Sequence, residues 1–335
     1  MKNKDILPLP AGELLMESDL ELPADNFLAS VFTSLSSTPK YLESKYFYDA
    51  AGDKLFQEIM HSEEYYPFNC EQEIFENHGK DLAEQILSEG NTFDLIELGA
   101  GDCHKSVHLI RHLLSANADF DYLPVDISAN VIQDLEGRLP GILPNLKIHG
   151  YQGDYFSQLE AIYMRPSRRR VILFLGSNIG NMTVVKAMDF CRRTRSILSA
   201  GDLFIVGIDL KKNPVTILSA YNDKGGVTSA FNLNLLARIN RELAGNIDLD
   251  SFLHYPTYDP QTGSCKSFLV STVEQVLKIH GQEFHLDKDE CIFTEISQKY
   301  TNAEIDELAE ASSFTLVKRF FDTQRWFTEV IWKAV

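Results

Sequence analysis

The residues with the most chemical content are acids placed at the ends of apolar runs. Asp94-Leu95-Ile96-Glu97-Leu98-Gly99-Ala100-Gly101-Asp102 reads as a buried strand running into two glycines and an acid. Glycines there let the backbone turn tightly and come close to a ligand, and the helix expected from Cys103 to about Ser115 aims its amide-rich N-terminus at the same spot. Tyr122-Leu123-Pro124-Val125-Asp126 is a second apolar run, with its acid 25 residues past Gly101, where a carboxylate can hold the two hydroxyls of a ribose. A third run, Ile148 to Gly153, leads into Asp154-Tyr155. The third glycine of a dinucleotide fingerprint is missing, because Cys103 and His104 stand in its place. Acids after three successive strands, with no glycine cradle for a pyrophosphate, suit S-adenosylmethionine better than a dinucleotide. That ligand has an adenosine to hold and no phosphate.

Those acids require a frame of parallel strands. From Asp94 to Leu210 strands and helices alternate, which predicts a doubly wound sheet with ligands at the carboxyl ends of its strands. The fourth strand, Val171 to Leu175, ends in Gly176-Ser177-Asn178-Ile179-Gly180-Asn181, a loop that should face the same crevice as Gly99; the fifth, Leu203 to Val206, ends near Asp209. Ahead of the sheet, helical spacing covers Asn26 to Leu35, a helix through Leu55, Phe56 and Ile59, and a longer one from about Asn69 to Leu87. Between them lie the tyrosine-rich stretches Lys45-Tyr46-Phe47-Tyr48-Asp49 and Glu63-Glu64-Tyr65-Tyr66-Pro67.

After Leu210 the alternation stops. Residues 211 to about 266 read as helical and irregular, with one helix from Phe231 to Leu243 capped by Gly245. Phe268 to Ile279 and Glu290 to Ser297 read as strands joined through a turn at Asp287-Lys288-Asp289. Thr301 and Glu304 form a capping box at the start of a helix. Phe314 to Phe321 and Trp326 to Trp332 then make a hairpin that finishes the sheet with an antiparallel edge.

Composition narrows the partners. The 335 residues are 44% hydrophobic and 24% charged, ordinary values for a globular chain long enough to carry an added lobe. A formal net charge of −17 disfavours nucleic acid, whose binding needs clustered Lys and Arg. The one dense basic run, Arg165 to Arg170, reads as a solvated connection. The five cysteines are scattered with no C-x-x-C pair, and no run is long enough to cross a bilayer, so a cytoplasmic protein that avoids membranes is expected. His104, His108 and His112 recur every four residues, but Val107, Ile110, Leu113 and Leu114 take the buried face and no acid or cysteine joins the histidines. No metal is expected.

Together these residues resemble the L-histidine Nα-methyltransferases of ergothioneine biosynthesis, the family that makes hercynine. The resemblance runs from about Pro39 to the end. It rests on Phe47-Tyr48-Asp49, Glu64-Tyr65-Tyr66-Pro67, Glu97 to Gly101, Val125-Asp126-Ile127-Ser128, Gly176 to Asn181, Gly226-Val227-Thr228 through Phe231-Asn232, and Thr294-Glu295-Ile296-Ser297. It implies an α/β class I S-adenosylmethionine-dependent methyltransferase: a Rossmann-like, seven-stranded sheet with an antiparallel last strand, plus an inserted α+β substrate-binding lobe. The methyltransferase domain would comprise residues 74–210 and 298–335, the substrate lobe 24–73 and 211–297, and an N-terminal arm 1–23.

By matching position, the resemblance implies that Gly99, Lys105, Asp126 and Asp154 hold S-adenosylmethionine, with Tyr155 beside the adenine. Tyr48, Tyr65, Gly176, Asn181 and Tyr221 would grip the backbone end of a small amino acid, with Asn181 and Tyr48 closest to the chemistry, while Glu295 and Ser297 read an imidazole. The implied reaction is Nα-methylation of L-histidine to the trimethylated betaine by a monomer. This chain departs from the family in carrying Phe68-Asn69 after its Tyr-Tyr-Pro turn, and Ser267 where many members have a methionine near the ring. Other acceptors for the same chemistry, and a binding protein without turnover, stay open as alternatives. A nucleic-acid amine methyltransferase lacks support, because no Asn/Asp-Pro-Pro-aromatic loop follows the fourth strand.

Overall fold

A computed structural model describes residues 27–166 and 168–335. The arm expected over 1–23 lies outside the described residues. Helices α1 (Phe27–Ser36), α2 (Ala50–Met60) and α3 (Tyr66–Leu87) lead into strand β1 (Thr92–Leu98). There follow α4 (Ser106–Ser115), β2 (Asp119–Asp126), α5 (Ala129–Ile142), β3 (Lys147–Ile148), β4 (Tyr151–Gln152), α6 (Tyr155–Tyr163), β5 (Arg169–Phe174), α7 (Val184–Ile197) and β6 (Leu203–Asp209). The next part holds α8 (Pro214–Ala220), α9 (Val227–Leu243), β7 (Phe252–Asp259), β8 (Ser264–Ser271), β9 (Gln275–Ile279), β10 (Gln282–Leu286) and β11 (Cys291–Gln298). The chain closes with α10 (Asn302–Ala311), β12 (Phe314–Phe321) and β13 (Phe327–Ala334).

The main sheet has the order β12-β13-β6-β5-β1-β2-β3, with β4 also beside β2. All its neighbours are parallel except β13, which runs antiparallel to both β6 and β12. The expected third strand is thus two short pieces that together fill one place, and the last strand of the chain lies inside the edge, with β12 outside it. Both faces are buried, as a parallel sheet requires. Phe93 and Leu95 point into a core shared with α3, α4 and α5, whereas Ile96 and Leu98 point into one shared with α6, α7 and α10.

A third core lies apart from the sheet. Val31 and Leu35 of α1, Ile59 of α2, Phe231, Leu235 and Ile239 of α9, and Leu269 and Ile292 of the antiparallel sheet β11-β8-β7 pack together there. Helix α3 runs unbroken through residues 73 and 74, and its buried side chains, Cys70, Ile74 and Phe75 among them, pack into the sheet core that holds Phe93 and Leu95.

Local chemistry explains where the expected elements differ. The single strand expected over Phe268–Ile279 is broken after Ser271, because Ser271 Oγ donates to Val273 O at 2.7 Å and accepts from Gln275 Nε2 at 2.6 Å, closing a turn between two different sheets. Strand β7 was hidden by Pro256, which an edge strand tolerates. Helix α9 starts at Val227 because Asp223 accepts from the N–H groups of Val227 and Thr228, each at 2.8 Å. It ends on Ala244 in the left-handed region, φ 50°, and not on Gly245. The capping box of Thr301 and Glu304 is formed.

Two polar clusters also differ from expectation. Arg165 and Arg168 are not simply solvated: Arg165 Nη2 meets Asp121 Oδ2 at 2.6 Å and Arg168 Nη2 meets Asp119 Oδ2 at 3.1 Å, binding the start of β5 to the start of β2. Of the three histidines only His104 is exposed; His112 packs against α3 where Gly79 leaves room for its ring. Among the described residues no group of His, Cys, Asp and Glu is arranged to hold a metal ion.

Candidate active site

The turn after β1 is built by Gly99, φ +72°, and Gly101, φ +52°. Gly99 N donates to Val125 O at 2.8 Å, which places the two glycines beside the end of β2. A Cβ on Gly99 would lie 2.8 Å from Tyr155 Oη and 3.1 Å from Asn178 Nδ2, so only glycine leaves the phenol where it stands. Next to it Asp126 Oδ2 accepts from Gly101 N at 3.2 Å and Oδ1 from Ser128 N at 2.9 Å. Each carboxylate oxygen keeps a further lone pair, which fits a ligand offering a pair of hydroxyls. Space beside Gly101 is open. The Tyr155 ring stands edge-on to Phe174, 5.7 Å between centroids, and burial pushes its phenol up. These residues fit an adenosine.

Lys105 and Asp154 are placed differently. Lys105 Nζ donates to Glu71 Oε2; burial alone would depress the lysine, but Glu71 beside it more than offsets that and raises it. Asp154 is exposed and caps α6, its Oδ1 accepting from Phe156 N at 3.1 Å and Ser157 N at 3.0 Å. Glu97 at the end of β1 is buried, accepts from Tyr122 Oη at 2.6 Å, and is pushed up by burial to about 7.

The loop after β5 forms the other wall. Gly176, φ +73°, and Ser177, φ 55°, turn the chain into a short 3-10 turn, Asn178–Asn181. Gly176 N donates to Glu71 Oε1 at 2.6 Å, and Ser177 Oγ accepts from Asp209 N at 3.1 Å, so both neighbours of the loop hold it. Tyr48, Tyr65, Gly176, Asn181, Tyr221, Glu295 and Ser297 line one cavity at this wall. Tyr48 is the most open of the three tyrosines lining the cavity, 44% exposed, with its ring edge-on to Phe56 and Phe231. Tyr65 lies edge-on to Phe56 and Tyr221. Asn181 is exposed at the mouth.

At the floor, β11 presents Glu295 and Ser297 on one face, as residues two apart in a strand must be. Glu295 follows a bulge in the pairing with β8 and stands opposite Ser267 in the register. Burial pushes its carboxyl up to about 7, against the pull of Lys299. Ser297 Oγ accepts from Tyr221 Oη at 2.7 Å and from Lys299 Nζ at 2.8 Å. Lys299 also meets Asp209 Oδ2 at 2.6 Å. Burial would raise Asp209, but Lys299 and Lys212 hold it below the usual carboxylate range.

Lys299 and Glu71 escaped the sequence reading, and Ser177 and Asp209, though placed at strand ends beside the crevice, were given no role. Lys299 carried a signal, since Glu295, Ser297 and Lys299 alternate; but a lysine at a strand end normally faces water. Glu71, in the second turn of a long helix, carried none.

Comparisons with known proteins show the family. The family model described as histidine-specific methyltransferase, SAM-dependent, matches residues 27–334. A histidine N-alpha-methyltransferase from Mycolicibacterium smegmatis is 32% identical over 86% of this chain and 89% of its own length. One from Mycobacterium tuberculosis is 31% identical over 89% and 90%. An L-tryptophan methyltransferase from Psilocybe serbica is 26% identical over 85% and 86%.

Proposed function

The chain belongs to the histidine-specific, S-adenosylmethionine-dependent methyltransferases, and from that premise we propose that it methylates the α-amino group of L-histidine, up to three times, to give hercynine. S-adenosylmethionine supplies a methyl carbon on a positively charged sulfur. What is left to the protein is placement, since an in-line displacement needs the acceptor lone pair aligned and held. In this reading Asp126 takes the ribose hydroxyls, the backbone at Gly99 and Gly101 lies against the ligand, and Tyr155 flanks the adenine. Lys105 and Asp154 border the same site.

Tyr48, Tyr65, Gly176, Asn181 and Tyr221 hold the amine and carboxylate of the amino acid, and Asn181 with Tyr48 orients the amine. Amide and phenol groups orient a neutral amine without a strong negative charge that would trap it as ammonium. Glu295 and Ser297 face the ring. We divide the chain into a methyltransferase domain (74–210, 298–335) and a substrate lobe (24–73, 211–297), both of which contribute lining residues to this cavity. No described helix is long and apolar enough to cross a membrane. With five unpaired cysteines, four of them buried, we assign the protein to the cytoplasm, acting as a monomer on a free amino acid.

The observation that carries the choice of acceptor is the Glu295 carboxylate, set beside a hydroxyl at the cavity floor, where an apolar ring would leave it unpaired. The test is to incubate the purified protein with S-adenosylmethionine and each common amino acid and to follow products by mass spectrometry. Histidine should pass through mono- and dimethyl forms to the trimethylated betaine. Methylation of another amino acid with histidine untouched would reject the acceptor. Binding without any product would reject the enzyme.

A further inference from the structure

Lys299 is wholly buried at the floor of the cavity. An ammonium has three N–H bonds and accepts nothing. All three find partners within the protein: Asp209 Oδ2 at 2.6 Å, Tyr221 Oη at 2.7 Å and Ser297 Oγ at 2.8 Å. Asp209 is buried too, and accepts from Tyr66 Oη at 2.9 Å and from Lys212 Nζ. Lys299 therefore lines the cavity with no donor left for a ligand.

Its effect falls on the two hydroxyls. Tyr221 Oη spends its proton on Ser297 Oγ at 2.7 Å, and Lys299 fills the other lone pair of that oxygen. A serine hydroxyl has two lone pairs and one proton. With both lone pairs taken, the proton has to leave the Lys299-Tyr221-Ser297 triangle, and the open side is the cavity.

We propose that Lys299 is a positioning residue that locks Ser297 as a hydrogen-bond donor, so that the ring site takes a bare nitrogen at Ser297 and an N–H at Glu295. The ligand ring is then a neutral imidazole in a single tautomer. This rests on the histidine reading above. A ring with an N–H but no bare nitrogen leaves the Ser297 proton facing carbon, and a site built to hydrogen-bond rejects such an analogue strongly. It also gives a reason for burying an ion pair, which is seldom a net gain in stability over apolar packing.

The two 3-(pyrrolyl)-L-alanines each keep one ring N–H and carry carbon in place of the other nitrogen. Their binding and that of L-histidine are measured calorimetrically with saturating S-adenosylhomocysteine at about pH 8, above the ordinary histidine pKa of about 6.5. The parent should prefer histidine over the better pyrrolyl isomer by at least about tenfold. Lys299→Met frees a lone pair on Ser297, so the hydroxyl can turn away and the preference should shrink to about threefold or less. Tyr221→Phe removes the other donor to Ser297 and should shrink it likewise, which keeps the test decisive if the Lys299 variant does not fold. An unchanged preference in the folded variants, with all ligands weakened alike, would mean that Lys299 only supports the fold and would overturn the proposal. A parent that does not bind histidine overturns the histidine reading and takes this proposal with it; a parent that binds histidine while the preference stays unchanged overturns this proposal alone.

Discussion

The backbone N–H of Gly176 donates to the Glu71 carboxylate at 2.6 Å, while the other oxygen of the same group takes Lys105 Nζ. One residue in the second turn of α3 thus fixes both the glycine turn that opens the cavity and the lysine that precedes α4. Glu329 of β13 stands beside it, in room left by Gly207, and finds no N–H donor among the described residues. Burial and the neighbouring Glu71 push Glu329 well above the usual carboxylate range. That shift favours the neutral form of Glu329, while Glu71 faces the Lys105 ammonium.

That division of charge predicts unequal variants. Glu329→Gln preserves shape and neutrality and should change stability by less than about 1 kcal/mol. Glu71→Gln strands a buried lysine without its counter-charge and should cost about 3 kcal/mol. Denaturant midpoints measure both. Equal losses would place the negative charge on the wrong glutamate.

Asp126 is expected to dominate cofactor affinity. Its replacement by alanine would leave two ribose hydroxyls without their acceptor and should weaken S-adenosylhomocysteine by about 2 kcal/mol or more. Calorimetry in the absence of histidine reads this directly. Parent-like affinity in Asp126→Ala would move the adenosine site elsewhere.

Glu97 gives a pH dependence of defined sign. Its carboxyl is raised from 4.5 to about 7 by burial, so the folded state binds its proton more tightly than the unfolded chain does. The stability this contributes is fully present below the unfolded value of 4.5 and is lost as pH rises to about 7. At about 1.4 kcal/mol per unit the loss is on the order of 3 kcal/mol. Thermal or denaturant unfolding across that window should show a shallower decline in Glu97→Gln than in the parent. Parallel curves would mean that Glu97 ionises normally.

Much of this arrangement was legible in the sequence because it depends on local rules. Gly99, Asp126, Gly176 and Asn181 sit at the carboxyl ends of apolar runs, and a parallel sheet collects those ends at one edge whatever the loops do. Glu295 and Ser297 were picked out by the resemblance, and strand alternation explains why they share a face. What was not legible depends on contacts between distant segments. Glu71 meets Gly176 across 105 positions of chain, and neither its helix nor its neighbours differ from any amphipathic stretch. The break at Ser271 depends on a side chain closing a turn, and Pro256 disguised an edge strand as a loop.

Asn181 is expected to act on the rate. At the mouth of the cavity, exposed on the turn that Gly176 and Ser177 set up, it can orient an amine without contributing to the adenosine site. Asn181→Ala should therefore lower kcat by at least about tenfold, since orientation can be worth several kcal/mol of barrier, while S-adenosylhomocysteine binds as before. An unchanged kcat removes Asn181 from the reaction.

Glu295 ties acceptor choice to pH. Its carboxyl, pushed up to about 7 in the free protein by burial, accepts a ring N–H most strongly when ionised. Histidine binding should then weaken as pH falls through about 7, and Glu295→Gln, which cannot ionise, should lack the part of that decline that the ring's own titration does not explain. Glu295→Ala should weaken histidine by about 1 to 3 kcal/mol at pH values above the transition, the usual cost of a missing charged partner. Phenylalanine should fail on the parent, where it would leave the carboxylate buried and unpaired, and should be tolerated better by Glu295→Ala. If Glu295 merely faced water at the strand, neither substitution would alter the affinity for histidine or its pH dependence. Titration of parent, Glu295→Gln and Glu295→Ala with both amino acids at several pH values, with S-adenosylhomocysteine saturating, separates these outcomes.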